Sequence, residues 1–394
     1  MSNIKEKIPI LQWLPGYQRS WFKHDLFAGL TVGIILIPQG IAYATIAGLP
    51  PIYGLYTALV PQLVYAVMGT SRQLSVGPAA MDSLIVASGV GALATMGTEN
   101  FIAISILLAF LVGLFQFLFG LFRLGFLVNF LSRPVISGFT SGSAIIIGLN
   151  QIGNLTGMDL ERSNHIQFLF QSLFQTDNAV HWPSFTLGVL TVLFLLLMKR
   201  FFNKIPASLI VVILGIAIVY FLGLNNRGID ILGAIPSGLP PFRIPDFTVD
   251  MIRDVGGLAL TLALIGFLEA ISIAKSMESK HNSYQVHPNQ ELIAIGLGNM
   301  AGSFFQTYPA TGGFSRTAVN DESGAKTAMS SLVAALVIAL TLLFLTPLFY
   351  YLPTPILAAI IVVSAYGLLD FSMPKNLLTF NRRDLIILNS TLLF

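Results

Sequence analysis

The residues of this chain that could do chemistry are few and widely spaced. In "TYPATGGFSRTAVN" (Thr307 to Asn320) a single arginine, Arg316, stands among glycines and hydroxyl residues between two long apolar runs. "GFLEAIS" carries Glu269 in another apolar run, and "LSVGPAAMDS" carries Asp82 four positions after Pro78. An unpaired arginine at the centre of a bilayer costs from about 2.5 to more than 10 kcal/mol. Arg316 therefore needs an anionic ligand, a carboxylate partner or water. A carboxylate held away from water can bind and release a proton, so Glu269 suits proton coupling and Asp82 suits a proton or sodium ion. Plainer readings stand beside these. Arg316 could pair permanently with Glu269 or Asp82, Glu269 with Lys275, and Asp82 could simply favour a helix N-terminus.

Other chemistries find little support. The chain has no cysteine, which excludes disulfides, thiol catalysis and zinc–thiolate sites. Its five histidines (His24, His165, His181, His281, His287) fall in loops or flanks, and none forms a metal-ligand pair at helical spacing. No nucleophile–base pair lies within the apolar runs, so an enzyme is not expected, and neither a cofactor nor a metal is implied.

The elements that position these residues are membrane helices. The 394 residues are 55% hydrophobic and only 10% charged, against about 25% charged in soluble domains. Apolar runs predict spans at roughly 25–45, 54–69, 75–94, 99–121, 134–153, 183–198, 207–224, 253–275, 290–304, 309–320, 328–349 and 355–370. A thirteenth begins near Leu385 and the sequence ends within it. The runs do not alternate with period two, so helices are expected rather than a barrel. With the N-terminus inside, sixteen Lys and Arg fall on the inner side and four on the outer, with Arg316 in the membrane. That asymmetry predicts a cytoplasmic N-terminus in the cell (inner) membrane. The net charge of +3 accordingly reflects orientation among lipids and not nucleic-acid binding.

Two features recur at nearly one offset. Gln39 and Glu269 lie 230 residues apart, and the breaks Gly77–Pro78 and Gly312–Gly313 lie 235 apart. Seven spans separate the copies, so the second enters from the opposite side, giving an inverted-topology repeat of the kind common in secondary transporters. A helix starting mid-membrane leaves up to four amides without intrahelical partners and carries about half a positive charge. Pro78 suits the first helical position, and Thr311, Gly312 and Gly313 precede Phe314 and Ser315 in the same way. Two such ends and an arginine facing a cavity make an anion site.

"PQGIAYATIAGLPPIYGLYTALVP" (Pro38–Pro61) with "GTSRQLSVGPAA" (Gly69–Ala80) resembles the signature of the sulfate-permease (SulP) anion transporters. "GGFSRTAVNDESGAKT" (Gly312–Thr327) resembles that family's block around the tenth span, and "ALIGFLEAISIAKSM" (Ala263–Met277) its eighth span. The resemblance implies an all-α polytopic fold, a seven-plus-seven inverted repeat with a core and a gate domain moving as an elevator. On this pattern 1–24 is a cytoplasmic segment, 25–121 and 253–350 form the core, and 122–252 and 351–394 belong to the gate. The gate is then incomplete, and no cytoplasmic STAS domain follows.

The resemblance also implies that Gln39, Tyr43, Gly77, Pro78, Ala79, Gly313, Phe314, Ser315 and Arg316 form the anion site between half-helices 3 and 10. Tyr43 stands four residues after Gln39, so both share a helix face. Relatives often carry an aromatic at the position of Ala79, which here implies a pocket that is roomier or relies more on backbone N–H donors. The implied activity is secondary active transport of sulfate, bicarbonate or a dicarboxylate, coupled to protons or sodium through Glu269 and Asp82, with an uncoupled exchanger or channel as the alternative. A homodimer is a further expectation, although family dimers often use parts that lie beyond this sequence.

Overall fold

The computed structural model describes residues 8–126, 141–158 apart from 143 and 147, 160, 179–201, 207–366 and 369. The thirteenth segment near Leu385 and residues 134–140, 143 and 147 of the fifth lie outside the described residues. In chain order the elements are α1 (Arg19–Ile46), α2 (Pro51–Met68), β1 (Val76–Gly77), α3 (Ala80–Gly91), α4 (Glu99–Leu121) and α5 (Ile152–Thr156). They continue with α6 (Trp182–Phe201), α7 (Ala207–Leu222), α8 (Val249–His281), α9 (Pro288–Ser303), β2 (Thr311–Gly312), α10 (Phe314–Glu322), α11 (Met329–Leu340) and α12 (Thr354–Tyr366). A π turn and a 3-10 turn carry the chain on from α11 to Phe349. Among the described residues, α1, α2, α4, α8 and Met329–Phe349 are long and apolar enough to cross a bilayer.

Local sequence explains the ends of these helices. Thr98 caps α4 by accepting from the Phe101 amide at 3.3 Å, and Glu99 follows in the first turn. α8 opens with Asp250 and closes with Lys280 and His281, charges that suit its dipole. Asn282, left-handed at φ 51°, then ends it by donating to the Glu278 carbonyl. Prolines begin α2 and α9.

The chain divides into two compact units, Met1–Val128 with Ile235–Pro347, and Asn129–Ala234 with Leu348–Phe394. In the first, glycines let backbones touch, as expected where lipid supplies no hydrophobic driving force between helices. A Cβ on Gly113 of α4 would lie 2.6 Å from the Gly296 carbonyl of α9, and one on Gly54 of α2 would lie 1.9 Å from the Gly40 carbonyl of α1. The α1–α2 crossing thus falls beside Gln39. Buried Asp25 binds the start of α1 to the segment before α11, accepting from the Lys326 amide at 2.6 Å and the Thr327 hydroxyl at 2.7 Å. Buried Glu291 of α9 likewise holds the chain after α2, accepting from Tyr65, from the Thr70 amide and from the Thr70 hydroxyl. In the second unit α12 packs on α6, α7 and α5, and Ile231 bridges Pro353. The small-residue stretch 136–148, read from sequence as helix packing, lies largely outside the described residues.

Candidate functional site

The two glycine breaks meet. β1 and β2 pair antiparallel, Val76 opposite Gly312 and Gly77 opposite Thr311, and the Gly313 amide donates to the Ser75 carbonyl at 2.9 Å. Glycine is required at 312 because an added Cβ would sit 2.9 Å from Leu74 Cδ1 and 3.1 Å from Ala270 Cα of α8. The Thr311 hydroxyl ties β2 to α8 by donating to the Gly266 carbonyl at 2.6 Å. Side chains of α10 satisfy the stretch leading into β1: Thr317 accepts from the Ser75 amide at 3.1 Å, and Asn320 donates to the Gln73 carbonyl at 2.8 Å.

Each strand runs into a helix. α3 begins at Ala80 with Ala79 as its N-cap, and α10 begins at Phe314 with Gly313 as its N-cap. Neither cap residue has a side-chain oxygen, and no side chain caps either end, so the first-turn amides are left for something else to bind. Pro78 does not occupy the first helical position expected from the sequence. Strand pairing keeps the chain extended through Ala79 (φ −122°, ψ 149°), so the helix starts two residues later. Asp82 becomes the third residue of α3.

Arg316 is the third residue of α10 and 2% exposed. Its Nη1 donates to the Pro78 carbonyl at 2.7 Å, while Nε and Nη2 have no hydrogen-bond partner. A Cβ on Gly313 would lie 2.4 Å from the Arg316 Cζ, so this glycine makes the room for the guanidinium. Arg316 forms no ion pair among the described residues; those found are Lys275–Glu278, Lys280–Asp321 and His281–Asp321. Lys275 is thereby engaged with Glu278 and not with Glu269. Glu269 still senses Arg316 electrostatically, and Asp82 senses Glu269. Glu269 Oε2 and Asp82 Oδ1 are both shielded from solvent and lack hydrogen-bond partners.

The remaining expected residues divide. α1 packs against α3 and α10, and on it Gln39 and Tyr43 are buried. Gln39 Oε1 has no hydrogen-bond partner, and Tyr43 is an electrostatic neighbour of Arg316. Gly77, Pro78, Ala79 and Gly313 are buried around the strand pair, whereas Phe314 and Ser315 are exposed on the first turn of α10. One residue was missed. Tyr308, fully buried, places its hydroxyl 3.1 Å from Ser83 Oγ of α3 and neighbours Asp82, Arg316 and Tyr43 electrostatically. Its only local signal is a polar aromatic just ahead of a glycine break.

At the far ends of the same helices, Lys280 and His281 of α8 both bind Asp321 of α10. The helix bearing Glu269 and the helix bearing Arg316 are thus joined at their termini. Among the described residues no cluster of three or more His, Asp or Glu could hold a metal.

Known proteins resemble this chain in sequence and fold. The sequence profile of the sulfate permease family matches residues 22–391. The chain is 42% identical over 390 residues to the chloroplastic sulfate transporter 4.1 of Arabidopsis thaliana, covering 97% of this chain and 56% of the plant protein. It superposes on the murine Solute Carrier 26 family member A9 anion transporter in the inward-facing state with a TM-score of 0.92 and 28% identity, covering 100% of this chain and 69% of that one. It also superposes on the transmembrane domain of a cyanobacterium bicarbonate transporter, BicA, with a TM-score of 0.85 and 25% identity, covering 95% of each chain. The chain therefore spans little more than half the length of the plant relative, and it has the all-α polytopic fold of these transporters. These relatives are described as transporters and not as enzymes.

Proposed function

The chain belongs to the sulfate permease family, and we propose that it carries small anions across a membrane by secondary active transport. The observation that carries this reading is the guanidinium of Arg316. It is buried, it holds one carbonyl, and it keeps two nitrogens unpartnered beside two helix N-termini that no side chain caps. Donors so placed suit an oxyanion: sulfate, bicarbonate or a dicarboxylate. Antiparallel pairing of the strands that lead into α3 and α10 fits two copies entering the membrane from opposite sides.

The finer reading follows from the same residues. Gln39 and Tyr43 of α1 complete the pocket, with Ala79, Phe314 and Ser315 at the helix starts. Glu269, adjacent in charge to Arg316, takes a proton that offsets the anion's charge, and Asp82 assists it or binds sodium. The segments 25–121 and 253–350 act as the moving core and 122–252 and 351–394 as the gate of an elevator. The protein sits in the cell (inner) membrane with its N-terminus cytoplasmic, as a homodimer.

The test is uptake of labelled sulfate, bicarbonate and fumarate into proteoliposomes, with and without a proton or sodium gradient. Concentrative uptake of one anion under one gradient supports the reading and names the substrate. Gradient-independent uptake moves the protein to the uncoupled class, and absence of all uptake overturns the transport reading.

A further inference from the structure

A two-stranded ribbon in the interior of a membrane protein has a problem that its own pairing does not solve. Each strand has an outer edge, and unpaired backbone groups are not tolerated where water is absent. The stretch entering β1 is served by Thr317 and Asn320 of α10, at Ser75 and Gln73. In the stretch entering β2, Thr57 of α2 accepts from the Tyr308 amide at 3.1 Å, and both backbone groups of Ala310 are met by one side chain of α9.

Asn299 is fully buried and faces Ala310, the residue before β2. Its Oδ1 accepts from the Ala310 amide at 2.8 Å, and its Nδ2 donates to the Ala310 carbonyl at 2.9 Å. One carboxamide thus satisfies both backbone groups of one residue, as an adjoining antiparallel strand would. The orientation of the amide is fixed, since Nδ2 also donates to Gln116 Oε1 of α4 at 3.1 Å. Gln116 Nε2 in turn donates to the Ala263 carbonyl of α8 at 3.3 Å. A flipped Asn299 would set oxygen against oxygen at both Ala310 and Gln116.

The support behind Asn299 is stiff. α9 meets α4 backbone to backbone at Gly296 and Gly113, and a Cβ on the neighbouring Gly298 would lie 3.2 Å from the Pro61 carbonyl of α2. In front of it, Ala310 leads through Thr311 and Gly312 to Gly313, the N-cap of α10, and so to Arg316. We infer that Asn299 is a positioning residue of the anion site. Its carboxamide stands in for a missing strand and sets where the first-turn amides of α10 and the Arg316 guanidinium lie. It touches no anion itself, and Gln116 holds it in register. This inference rests on the anion-transport reading.

Uptake kinetics of the full chain in proteoliposomes test it, with labelled sulfate, bicarbonate and fumarate as probes, alongside thermal unfolding in detergent. Asn299→Asp keeps the shape and the acceptor for the Ala310 amide but loses a donor when ionised. Its KM is expected to rise about ten- to a hundredfold over the parent, the cost of a slightly misplaced site, with maximal rate within about twofold. When acidified, the protonated carboxyl regains one donor and keeps its acceptor, so the ratio of variant to parent KM at the same pH should fall towards unity. Asn299→Ala should show the same KM defect without recovery in acid. If it does not fold, Gln116→Leu replaces it, with a smaller KM increase expected. A KM within twofold of the parent in Asn299→Asp and in the folded member of that pair, with only the unfolding midpoint lowered, would overturn the inference and leave Asn299 a packing residue. Absence of uptake by the parent for all three anions would overturn the transport reading, and this inference with it.

Discussion

Arg316 Nη1 donates to the carbonyl of Pro78 at 2.7 Å, across 238 residues of sequence. The arginine of one half-helix is therefore held by the backbone that leads into the other, and not by a carboxylate. Its remaining donors are uncommitted, so removing it takes little from the fold and much from the site. Arg316→Met is expected to leave the unfolding midpoint unchanged or raised, because a poorly satisfied buried charge is a weak source of stability. Uptake KM should rise about 10- to 150-fold, matching about 1.5–3 kcal/mol for a charged hydrogen bond. Arg316→Lys retains charge without the planar fork and should fall between the two. A lowered midpoint with unchanged KM would mean a structural arginine.

Two glycines of the strand pair should respond differently to a single methyl group. A Cβ on Gly313 would lie 2.4 Å from Arg316 Cζ, whereas one on Gly77 would meet its nearest neighbours at 3.6 Å. Gly313→Ala pushes on the far end of a flexible side chain, which can swing away. The fold then survives, but the bond to Pro78 does not. We expect about tenfold or greater loss of uptake affinity for Gly313→Ala with little change in midpoint, and near-parental uptake for Gly77→Ala. Equal behaviour of the two variants would argue against the guanidinium position.

Much of this was legible in the sequence, for identifiable reasons. A predicted span at 99–121 coincides with α4 because a long apolar run begins at a Thr cap and an acidic first turn. The breaks at Gly77–Pro78 and Gly312–Gly313 marked both half-helices because only small residues allow backbones to cross there, as Gly312 does against Ala270. Pro78 was placed too far into its helix because pairing between distant strands decides how long the chain stays extended. Asn299 and Gln116 gave no local signal, and Tyr308 gave only that of an aromatic ahead of a glycine break. A lone polar residue in an apolar run has no periodicity, and its meaning lies in partners 11 to 225 residues away.

Tyr308 and Ser83 offer a coupled pair. Their hydroxyls are 3.1 Å apart, one ahead of β2 and the other in α3. Tyr308→Phe and Ser83→Ala should each cost about 0.5–1.5 kcal/mol in unfolding free energy. The double variant should cost clearly less than the sum, since the second change removes a group already left unpaired. Additive costs would show that the hydroxyls act independently.

Alkaline sensitivity should arise at the N-terminal flank. The Tyr17 hydroxyl donates to Asp25 at 3.1 Å, and burial together with the Asp25 carboxylate pushes its pKa above the ordinary value. A raised folded pKa stabilises fully below the unfolded pKa, near 10, and that contribution is lost as pH rises beyond it. Below about pH 9 Tyr17→Phe should unfold slightly earlier than the parent, and the gap should close above about pH 10. A gap that stays constant into alkali would rule out this linkage.

Glu269 gives the sharpest test of coupling. Its Oε2 is shielded and unpartnered, and its electrostatic neighbour is Arg316 rather than a lysine. A carboxyl so placed can carry a proton with the anion and return ionised as counter-charge to the empty arginine. Glu269→Gln has nearly the same shape and mimics only the protonated form. Anion exchange between equal internal and external pools should then persist, because it needs no return of the empty site. Uptake driven by a proton gradient should fall about tenfold or more, matching at least about 1.4 kcal/mol of lost coupling. Loss of exchange and of driven uptake together would place Glu269 in anion binding. Driven uptake at the parental rate would remove it from coupling, leaving Asp82 as the acid to test.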